Sequence, residues 1–306
     1  MANTLISVRA VKKHFGEVHA VDGIDLDIAK GEIFGLIGHN GAGKSTMFKM
    51  LLGLLPATSG EIRINGTAVA GRAFREVRRQ IGYLPENVVF YDNLTGLETL
   101  HFFADLKGVA RSAAQPLLEK VGLAHAAQRR VRGYSKGMRQ RLGFAQALLG
   151  QPALLFLDEP TNGLDPEGIR EFYRILEELK RKVGVTIVIT SHILAEIQER
   201  VDRLAIMKLG KLQALGTLHE LREQNGLALD FRLRLADPAQ ASAELDALLK
   251  PLGVSRLRAQ DEYLSFDCPR QHKMAVVAAL GQLQGKVLDL EIREPSLEDL
   301  FLGYAG

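Results

Sequence analysis

The sequence predicts an α/β domain built on a parallel sheet, followed by a smaller α+β domain. Two short apolar stretches, 154–157 and 185–190, have the composition of parallel strands buried on both faces. Between them, residues 166–183 show the apolar spacing of a helix. After residue 217 the elements follow the order strand, helix, strand, strand, helix, strand, which is the ferredoxin-like arrangement. We therefore expect two domains, 1–217 and 218–306.

A glycine-rich loop follows a predicted strand at 32–37 and opens a predicted helix. Residues 38–46 fit the pattern G-x-x-x-x-G-K-[ST] of a P-loop. Glycines let backbone N–H groups converge on a phosphate chain, and the helix N-terminus adds the positive end of its dipole. Lys44 is expected to reach the β- and γ-phosphates of a nucleotide, and the Ser45 hydroxyl to ligate Mg²⁺. The predicted nucleotide ligands in this loop are Gly38, Asn40, Gly41, Ala42, Gly43, Lys44, Ser45 and Thr46.

The chain before the P-loop is predicted to form strands at 5–10 and 18–28. Phe15, followed by Gly16, lies between them. An aromatic ring upstream of a P-loop could stack on an adenine, so Phe15 is a candidate ligand of the base. The alternative is that Phe15 is a core residue, as phenylalanine commonly is.

The chain after the P-loop helix is predicted to form a half-buried strand at 60–65 and a short strand ended by Pro85. From residue 95 to residue 150 the pattern is helical. Strands resume at residue 153. This helical block is therefore predicted to be a subdomain, about 87–150, inserted into the first domain.

Two carboxylates, Asp158 and Glu159, follow the apolar strand at 154–157. Strand ends in α/β folds face ligands, so both are candidate site residues. Asp158 is expected to support Mg²⁺, as the Walker B carboxylate of P-loop proteins does. Glu159 is expected to orient and deprotonate an attacking water. The alternative is that the two acids are solvated surface charge.

Two further features, a histidine at a strand end and a turn before a helix, indicate a nucleotide site only when they are considered together with the other motifs. His192, at the end of the strand at 185–190, could contact a γ-phosphate or position a water, although a histidine at a strand end is usually structural. The turn at 134–138 precedes a helix that is predicted to start near Arg139. Ser135 and Gly137 in this turn could form a second anion site, or Ser135 could be a helix cap alone. Two copies packed head to tail could use both phosphate sites on one nucleotide.

Composition limits the remaining functions. The chain has 306 residues and a net charge of only +3. Its basic and acidic residues are too nearly balanced in number to predict a nucleic-acid-binding surface. Its one cysteine, Cys268, excludes an internal disulfide framework and suggests a reducing compartment. The eight histidines show no metal-ligand spacing, so Mg²⁺ bound with the nucleotide is the expected metal.

With no long apolar run and no signal peptide, we expect a cytoplasmic protein whose membrane part, if it has one, is another chain.

The order of these motifs resembles that of the ATPases of ATP-binding cassette (ABC) transporters. The turn with Ser135 lies about 20 residues before Asp158 and Glu159, and Gly163-Leu164-Asp165 and His192 follow. The resemblance covers residues 1 to about 216 and implies a P-loop NTPase fold that binds ATP and Mg²⁺. It implies catalytic roles for Lys44, Glu159 and His192, and nucleotide contacts by Phe15, Ser135 and Gly137 in a homodimer. A soluble ABC ATPase of translation or DNA repair is the rival class, but such proteins usually carry two cassettes or a long insertion.

Within the family, three segments resemble the NosF branch, whose ATPases serve copper-site maturation of nitrous oxide reductase. They are residues 39–44, 82–87 and 134–143, and the ending at 294–300 is also similar. This branch implies transmembrane permease subunits as partners, a periplasmic accessory protein beyond them, and a peripheral position on the cytoplasmic face of the inner membrane. The alternative is the ATPase of a drug, lipid or polysaccharide exporter.

Two sites depart from the family pattern. The signature of the family is usually Leu-Ser-Gly-Gly-Gln, of which Ser135 and Gly137 remain; because the resemblance gives these two the γ-phosphate contacts, the function is expected to be kept. Lys136 is expected to add positive charge near the phosphates held by the second copy. Glu86 stands where the family has glutamine; its carboxylate can bind Mg²⁺, but it adds negative charge and cannot donate a hydrogen bond. We expect Glu86 to weaken hydrolysis unless a membrane partner repositions this loop. The signature residues that differ are Tyr134, Lys136 and Met138.

An apolar and aromatic stretch begins after Glu86, at Val88-Val89-Phe90-Tyr91, and continues with Phe102 and Phe103. Part of it, Phe103 above all, is expected to form the core of the helical subdomain. We expect the rest to form a groove for a short cytoplasmic helix of a membrane subunit.

Overall fold

The structure is a computed structural model that describes residues 4–198, 200–224, 228–236, 245–283 and 285–294. The chain divides into two compact units, residues 1–215 and 216–306. No helix among the described residues is both long and apolar enough to cross a membrane.

The first unit contains a six-stranded sheet, a four-stranded sheet and seven α-helices within its described residues. The strands are β1 (Thr4–Phe15), β2 (Val18–Ala29), β3 (Ile33–Ile37), β4 (Ser59–Ile64), β5 (Thr67–Ala68), β6 (Ile81–Leu84), β7 (Leu154–Leu157), β8 (Thr186–Ser191), β9 (Arg203–Lys208) and β10 (Lys211–Gly216). The helices are α1 (Lys44–Leu51), α2 (Phe74–Arg79), α3 (Gly96–Lys107), α4 (Ala114–Lys120), α5 (Lys136–Leu148), α6 (Pro166–Val183) and α7 (Leu194–Ile197).

The six-stranded sheet has the order β10-β9-β3-β8-β7-β6, and β3, β6, β7, β8 and β9 pair in parallel. Every residue of β3, β7 and β8 is buried, because helices cover both faces of such a sheet. The predicted α/β fold is confirmed. In the register of the sheet, Ile37 pairs with Ser191 and Leu157 with Ile189. The chain segments that leave these three strands therefore meet at one edge.

Packing fixes the P-loop helix against the sheet. The apolar face of α1 is buried, and Phe48 meets Phe156 of β7 edge to face, with ring centroids 5.4 Å apart. An antiparallel sheet of order β2-β1-β4-β5 contributes to the same buried cluster. Burying a phenylalanine side chain stabilises the fold by about 1.5–3 kcal/mol, so the position of α1 is well determined.

The helical subdomain lies in the sequence between β6 and β7, as predicted, and contains α3, α4 and α5. A capping box starts α3: the Glu98 N–H donates to Thr95 Oγ1 at 3.1 Å, and the Thr95 N–H donates to Glu98 Oε2 at 2.8 Å. The prediction that α5 starts near Arg139 is wrong. The Met138 N–H donates to Ser135 Oγ at 3.2 Å, and this cap lets the helix begin at Lys136.

The second unit contains α8 (Leu218–Gln224), β11 (Leu229–Leu235), a helical segment at 245–249, β12 (Ser255–Gln260), β13 (Tyr263–Cys268), α9 (Lys273–Leu280) and β14 (Val287–Arg293). Its sheet has the order β12-β13-β11-β14 with antiparallel neighbours, the order of a ferredoxin-like sheet. Stacked rings of Phe231 and Phe266, with centroids 5.2 Å apart, lie in its core. A final helix predicted at 296–304, with Ser296 and Asp299 in its cap, lies outside the described residues.

Candidate active site

A cavity of about 710 Å³ opens at the edge of the sheet where β3, β7 and β8 end. It brings together predicted residues that are far apart in the sequence. It is lined by the loop residues His39, Asn40, Gly41, Ala42, Gly43, Lys44, Ser45 and Thr46, by Glu86, Lys136, Glu159, Asn162 and His192, and by Val18, His19, Ala20 and Leu209.

The P-loop requires glycine at two of its positions. Gly43 has φ +103°, and a Cβ atom there would overlap the carbonyl oxygen of Ala20. At Gly38 a Cβ atom would lie 2.5 Å from the carbonyl oxygen of Met207. The loop therefore passes closely over β2 and β9 on its way into α1, and a larger residue would displace it.

Lys44 is buried inside this loop, with 6% of its surface exposed. Its ammonium donates hydrogen bonds to the carbonyl oxygens of Gly38 and of His39, the latter at 3.2 Å. It also lies 3.9 Å from Glu159 Oε1. Burial lowers the pKa of Lys44, while the charges of Glu159, Asp158 and Glu86 oppose that shift. Lys44 is thus a cation held at the loop and facing carboxylates.

Thr190 joins the two predicted carboxylates. Its hydroxyl donates to Asp158 Oδ1 at 2.6 Å and accepts from the Glu159 N–H at 2.9 Å. Glu159 has φ +46°, a conformation that few residues other than glycine adopt. The bond from Thr190 helps to hold it. The sequence does not single out Thr190, because a threonine in a β-branched strand looks like any other strand former.

Glu159 and His192 form a close pair. His192 Nδ1 lies 2.7 Å from Glu159 Oε2, and the His192 N–H donates to the same oxygen at 3.3 Å. A carboxylate only accepts hydrogen bonds, so Nδ1 carries the proton when Glu159 is ionised. Glu159 is 6% exposed. A buried carboxylate oriented by a second group has the geometry of a general base.

The oxygen groups predicted to hold Mg²⁺ have the right chemistry for it. Ser45 and Glu86 line the cavity. Burial lowers the pKa of Lys44 and the charge of Asp158 opposes that shift, and Lys44 lines the same cavity. Burial and the charge of Glu86 raise the pKa of Asp158, against the hydrogen bond from Thr190. Burial and the same two carboxylates raise the pKa of Tyr83 to about 12. Hard oxygen ligands in such a negative environment suit a small divalent cation.

The structure places the other predicted ligands elsewhere. Ser135 and Gly137 line a separate cavity of about 300 Å³, together with Met138, Gly163 and Asp165 among others.

Phe15 pairs with Val18 across the β1–β2 hairpin. It is 50% exposed and, unlike Val18, is not among the residues that line the P-loop cavity. The Lys13 ammonium lies 5.1 Å from the centre of its ring.

A group of metal-type side chains, His14, His19 and Asp22, gathers on the same hairpin, with ligand atoms within 4.8 Å of one another. The two imidazoles stack face to face, with centroids 3.9 Å apart and an angle of 9° between them. Their in-plane lone pairs therefore do not converge. Asp22 is ion-paired with Lys12 at 3.4 Å and Lys211 at 3.6 Å. We interpret this group as a packing contact of the hairpin.

Comparison with known proteins decides the family. Residues 21–162 match the sequence pattern of the ABC transporter family. The chain is 37% identical to the bacitracin transport ATP-binding protein BcrA of Bacillus licheniformis, over 99% of this chain and 98% of that protein. It is 36% identical to the daunorubicin resistance ATP-binding protein DrrA3 of Streptomyces coeruleorubidus, over 100% of this chain and 97% of the other.

The chain is an ABC transporter ATP-binding subunit.

Solved structures agree with this assignment. An ATP-binding subunit of an ABC transporter is 34% identical, with a TM-score of 0.66 over 73% of this chain and 94% of the other. The ATP-binding cassette MJ0796, solved as a dimer in a post-hydrolysis state bound to ADP and Pi, is 26% identical, with a TM-score of 0.65 over 70% of this chain and 99% of the other. The ABC subunit described here is therefore an ATPase of the same fold.

Proposed function

We propose that this ABC subunit is the ATP-hydrolysing motor of an exporter, and that it dimerises on ATP and drives a separate membrane subunit. The observation that carries the proposal is the pair of Glu159 and His192, 2.7 Å apart, beside Lys44 in one cavity.

In this proposal each residue of the cavity has a separate role in phosphoryl transfer. Catalysis of this reaction is mostly positioning and charge stabilisation. Lys44 and the N–H groups of residues 40–46 bind the phosphates of ATP. Glu159 accepts the proton of the attacking water, and His192 holds the Glu159 carboxylate and contacts the γ-phosphate. Ser45, Asp158 and Glu86 would hold Mg²⁺, which would supply positive charge to the phosphate chain.

The division of the phosphate ligands between two cavities supports a dimer. Lys44 and Ser135 belong to different cavities of one chain, so a single chain offers ATP only part of the predicted ligand set. A second copy turned head to tail would bring its Ser135 and Gly137 to the γ-phosphate. We propose two such composite sites, which ATP closes and hydrolysis reopens.

A membrane subunit is proposed to dock on an apolar surface, which we call the docking surface: the exposed side chains of Val89, Tyr91 and Phe102, with the partly buried Phe90 between them. Val89 is 86% and Tyr91 62% exposed. Tyr91 meets Phe102 edge to face, with ring centroids 5.8 Å apart. A short amphipathic helix of a permease fits such a surface, and it would hold the motor at the cytoplasmic face of the inner membrane.

The cargo class is proposed from the relatives. BcrA is named for bacitracin transport and DrrA3 for daunorubicin resistance, and a 33% identical protein of Bacillus subtilis is named for linearmycin resistance. These names favour the export of a drug or antibiotic. The narrower prediction of copper-site maturation of nitrous oxide reductase, with a periplasmic accessory protein, has in its support only the three NosF-like segments and the similar ending at 294–300. Loss of the gene should raise sensitivity to an antibiotic such as bacitracin, daunorubicin or linearmycin; loss of nitrous oxide reductase activity instead would favour the narrower prediction.

The ATPase proposal is tested with Glu159→Gln. Without its general base the subunit should bind ATP with unchanged affinity, while turnover falls at least about a hundredfold. Glu177→Gln, on the exposed face of α6, removes the same charge far from the cavity and should keep full turnover. Unchanged turnover in Glu159→Gln would remove Glu159 from its role.

A further inference from the structure

We infer that Lys136 binds the terminal phosphate of ATP held by the P-loop of its own chain. This inference rests on the proposed ATPase function and differs from the prediction made from the sequence, in which Lys136 serves the nucleotide held by the second copy.

The turn that starts α5 presents its side chains to two different cavities. Ser135 and Gly137 line the cavity of about 300 Å³. Lys136, which lies between them, lines the cavity of about 710 Å³ that contains Lys44, Glu159 and His192. One turn can therefore contribute to the nucleotide site of its own chain through Lys136 and to that of a second copy through Ser135.

The stem of Lys136 packs across Gly163. A Cβ atom on Gly163 would lie 2.7–3.0 Å from Cδ, Cγ and Cε of Lys136, so the lysine crosses directly over this glycine. Gly163 has φ +86°, which also disfavours a side chain there. Nearby, the Gln140 side-chain amide donates to the carbonyl oxygen of Pro160 at 3.0 Å. These contacts pack α5 against the loop that follows Glu159, and from there the side chain of Lys136 reaches the lining of the P-loop cavity.

The Lys136 ammonium is available for a ligand. The Lys44 ammonium already donates to two loop carbonyls, whereas the Lys136 ammonium makes no hydrogen bond and no ion pair within 4.0 Å with the described residues. The terminal phosphate is the most highly charged group that a nucleoside triphosphate brings into this cavity. An ammonium bonded to a phosphate oxygen is a charge-assisted hydrogen bond. The contact would therefore distinguish ATP from ADP.

Binding by the monomer tests this inference. We would measure the affinity for ATP and for ADP at protein concentrations where the chain is monomeric, with Glu159→Gln in every protein to prevent hydrolysis. Lys136→Gln should weaken ATP binding by about three- to tenfold, the range for a hydrogen bond to a charged group at a partly exposed site, and leave ADP binding unchanged. Lys136→Arg should restore the preference for ATP. Lys30→Gln removes an exposed charge just before β3, at the opposite edge of the sheet, and should change neither affinity.

The inference would be overturned if Glu159→Gln bound ATP with the same affinity with and without Lys136→Gln. It would also be overturned if Lys136→Gln weakened the binding of ATP and of ADP to the same extent. Failure of the parent to bind ATP would instead count against the proposed function.

Mixed dimers show whether Lys136 acts on the nucleotide held by its own chain or on the nucleotide held by the other chain. One chain keeps Glu159 and the other carries Glu159→Gln, so that one site turns over. Lys136→Gln should reduce turnover when it is on the chain with the intact Glu159 and should have no effect on the other chain. The reverse result, or equal losses from both chains, would overturn the assignment to the same chain.

Discussion

The hydroxyl of Thr190 donates a hydrogen bond of 2.6 Å to Oδ1 of Asp158. Because the same hydroxyl accepts from the Glu159 N–H, one side chain positions both the carboxylate proposed to bind Mg²⁺ and the carboxylate proposed to act as the general base. Thr190 is fully buried. The geometry of the two carboxylates therefore depends on a residue that itself touches neither nucleotide nor water in the proposed mechanism.

Thr190→Val removes this hydroxyl while keeping the shape of the side chain. It leaves the Glu159 N–H without its partner, so we expect the free energy of unfolding to fall by about 1–3 kcal/mol and ATP turnover to fall with it. Thr190→Ser keeps the hydroxyl and should retain most of the turnover. Denaturant unfolding and phosphate release measure the two effects. Equal behaviour of the two variants would show that the hydroxyl has no such role.

Asp158→Asn should stabilise the fold at neutral pH while abolishing Mg²⁺-dependent turnover. Burial raises the pKa of Asp158 in the folded state, so the folded protein binds more protons than the unfolded chain at pH values between the two pKa values. The stability of the parent therefore rises as pH falls through this window. Asparagine lacks the buried charge, and we expect a gain on the order of 1 kcal/mol at pH 7 that shrinks on acidification. Melting curves across pH test this, and a gain that is independent of pH would contradict it.

Glu86→Gln should raise the ATP turnover of the isolated subunit. Glu86 lines the P-loop cavity, and its charge contributes to the raised pKa of Asp158. Removing a negative charge near the γ-phosphate should increase turnover roughly two- to fivefold, as expected for a charge effect at an exposed position. Phosphate release without a membrane partner is the measurement. Turnover no faster than that of the parent would remove the support for this role of Glu86.

Val89→Glu should uncouple transport from ATP binding. Val89 is 86% exposed on the docking surface, so a charge there costs the isolated subunit little but opposes an apolar partner helix. We expect loss of transport and of co-purification with the membrane subunit, with nucleotide affinity unchanged. Leu54→Glu, at a residue 61% exposed elsewhere on the same unit, is the matched control. Wild-type transport in Val89→Glu would refute the docking surface.

Local signals in the sequence were sufficient where the fold depends on local contacts. The prediction of a helix at 166–183 is confirmed, because Asp165 caps it through the Gly168 N–H at 3.0 Å and Gly184 ends it with φ +73°. The buried strands could be predicted for a similar reason, since continuous apolar runs are characteristic of parallel sheets.

Contacts made in the folded chain could not be predicted in this way. The sequence predicts α5 to start three residues late, because it leaves open whether Ser135 is an anion ligand or a helix cap, and only the contact between Ser135 and the Met138 N–H decides for the cap. Thr190 and Asn162 carry no motif, and only the fold brings them to the site. The direction of Lys136 depends on its packing over Gly163, which the order of residues along the chain does not reveal.

The central claim is that two copies bind ATP between the P-loop of one and the Ser135 turn of the other. Sedimentation of Glu159→Gln with and without ATP tests it most directly. We expect a monomer without nucleotide, a dimer with ATP, and a monomer again when Ser135→Arg is added, because that side chain fills the place of the phosphate. A protein that stays monomeric with ATP bound, or a dimer that tolerates Ser135→Arg, would contradict the claim.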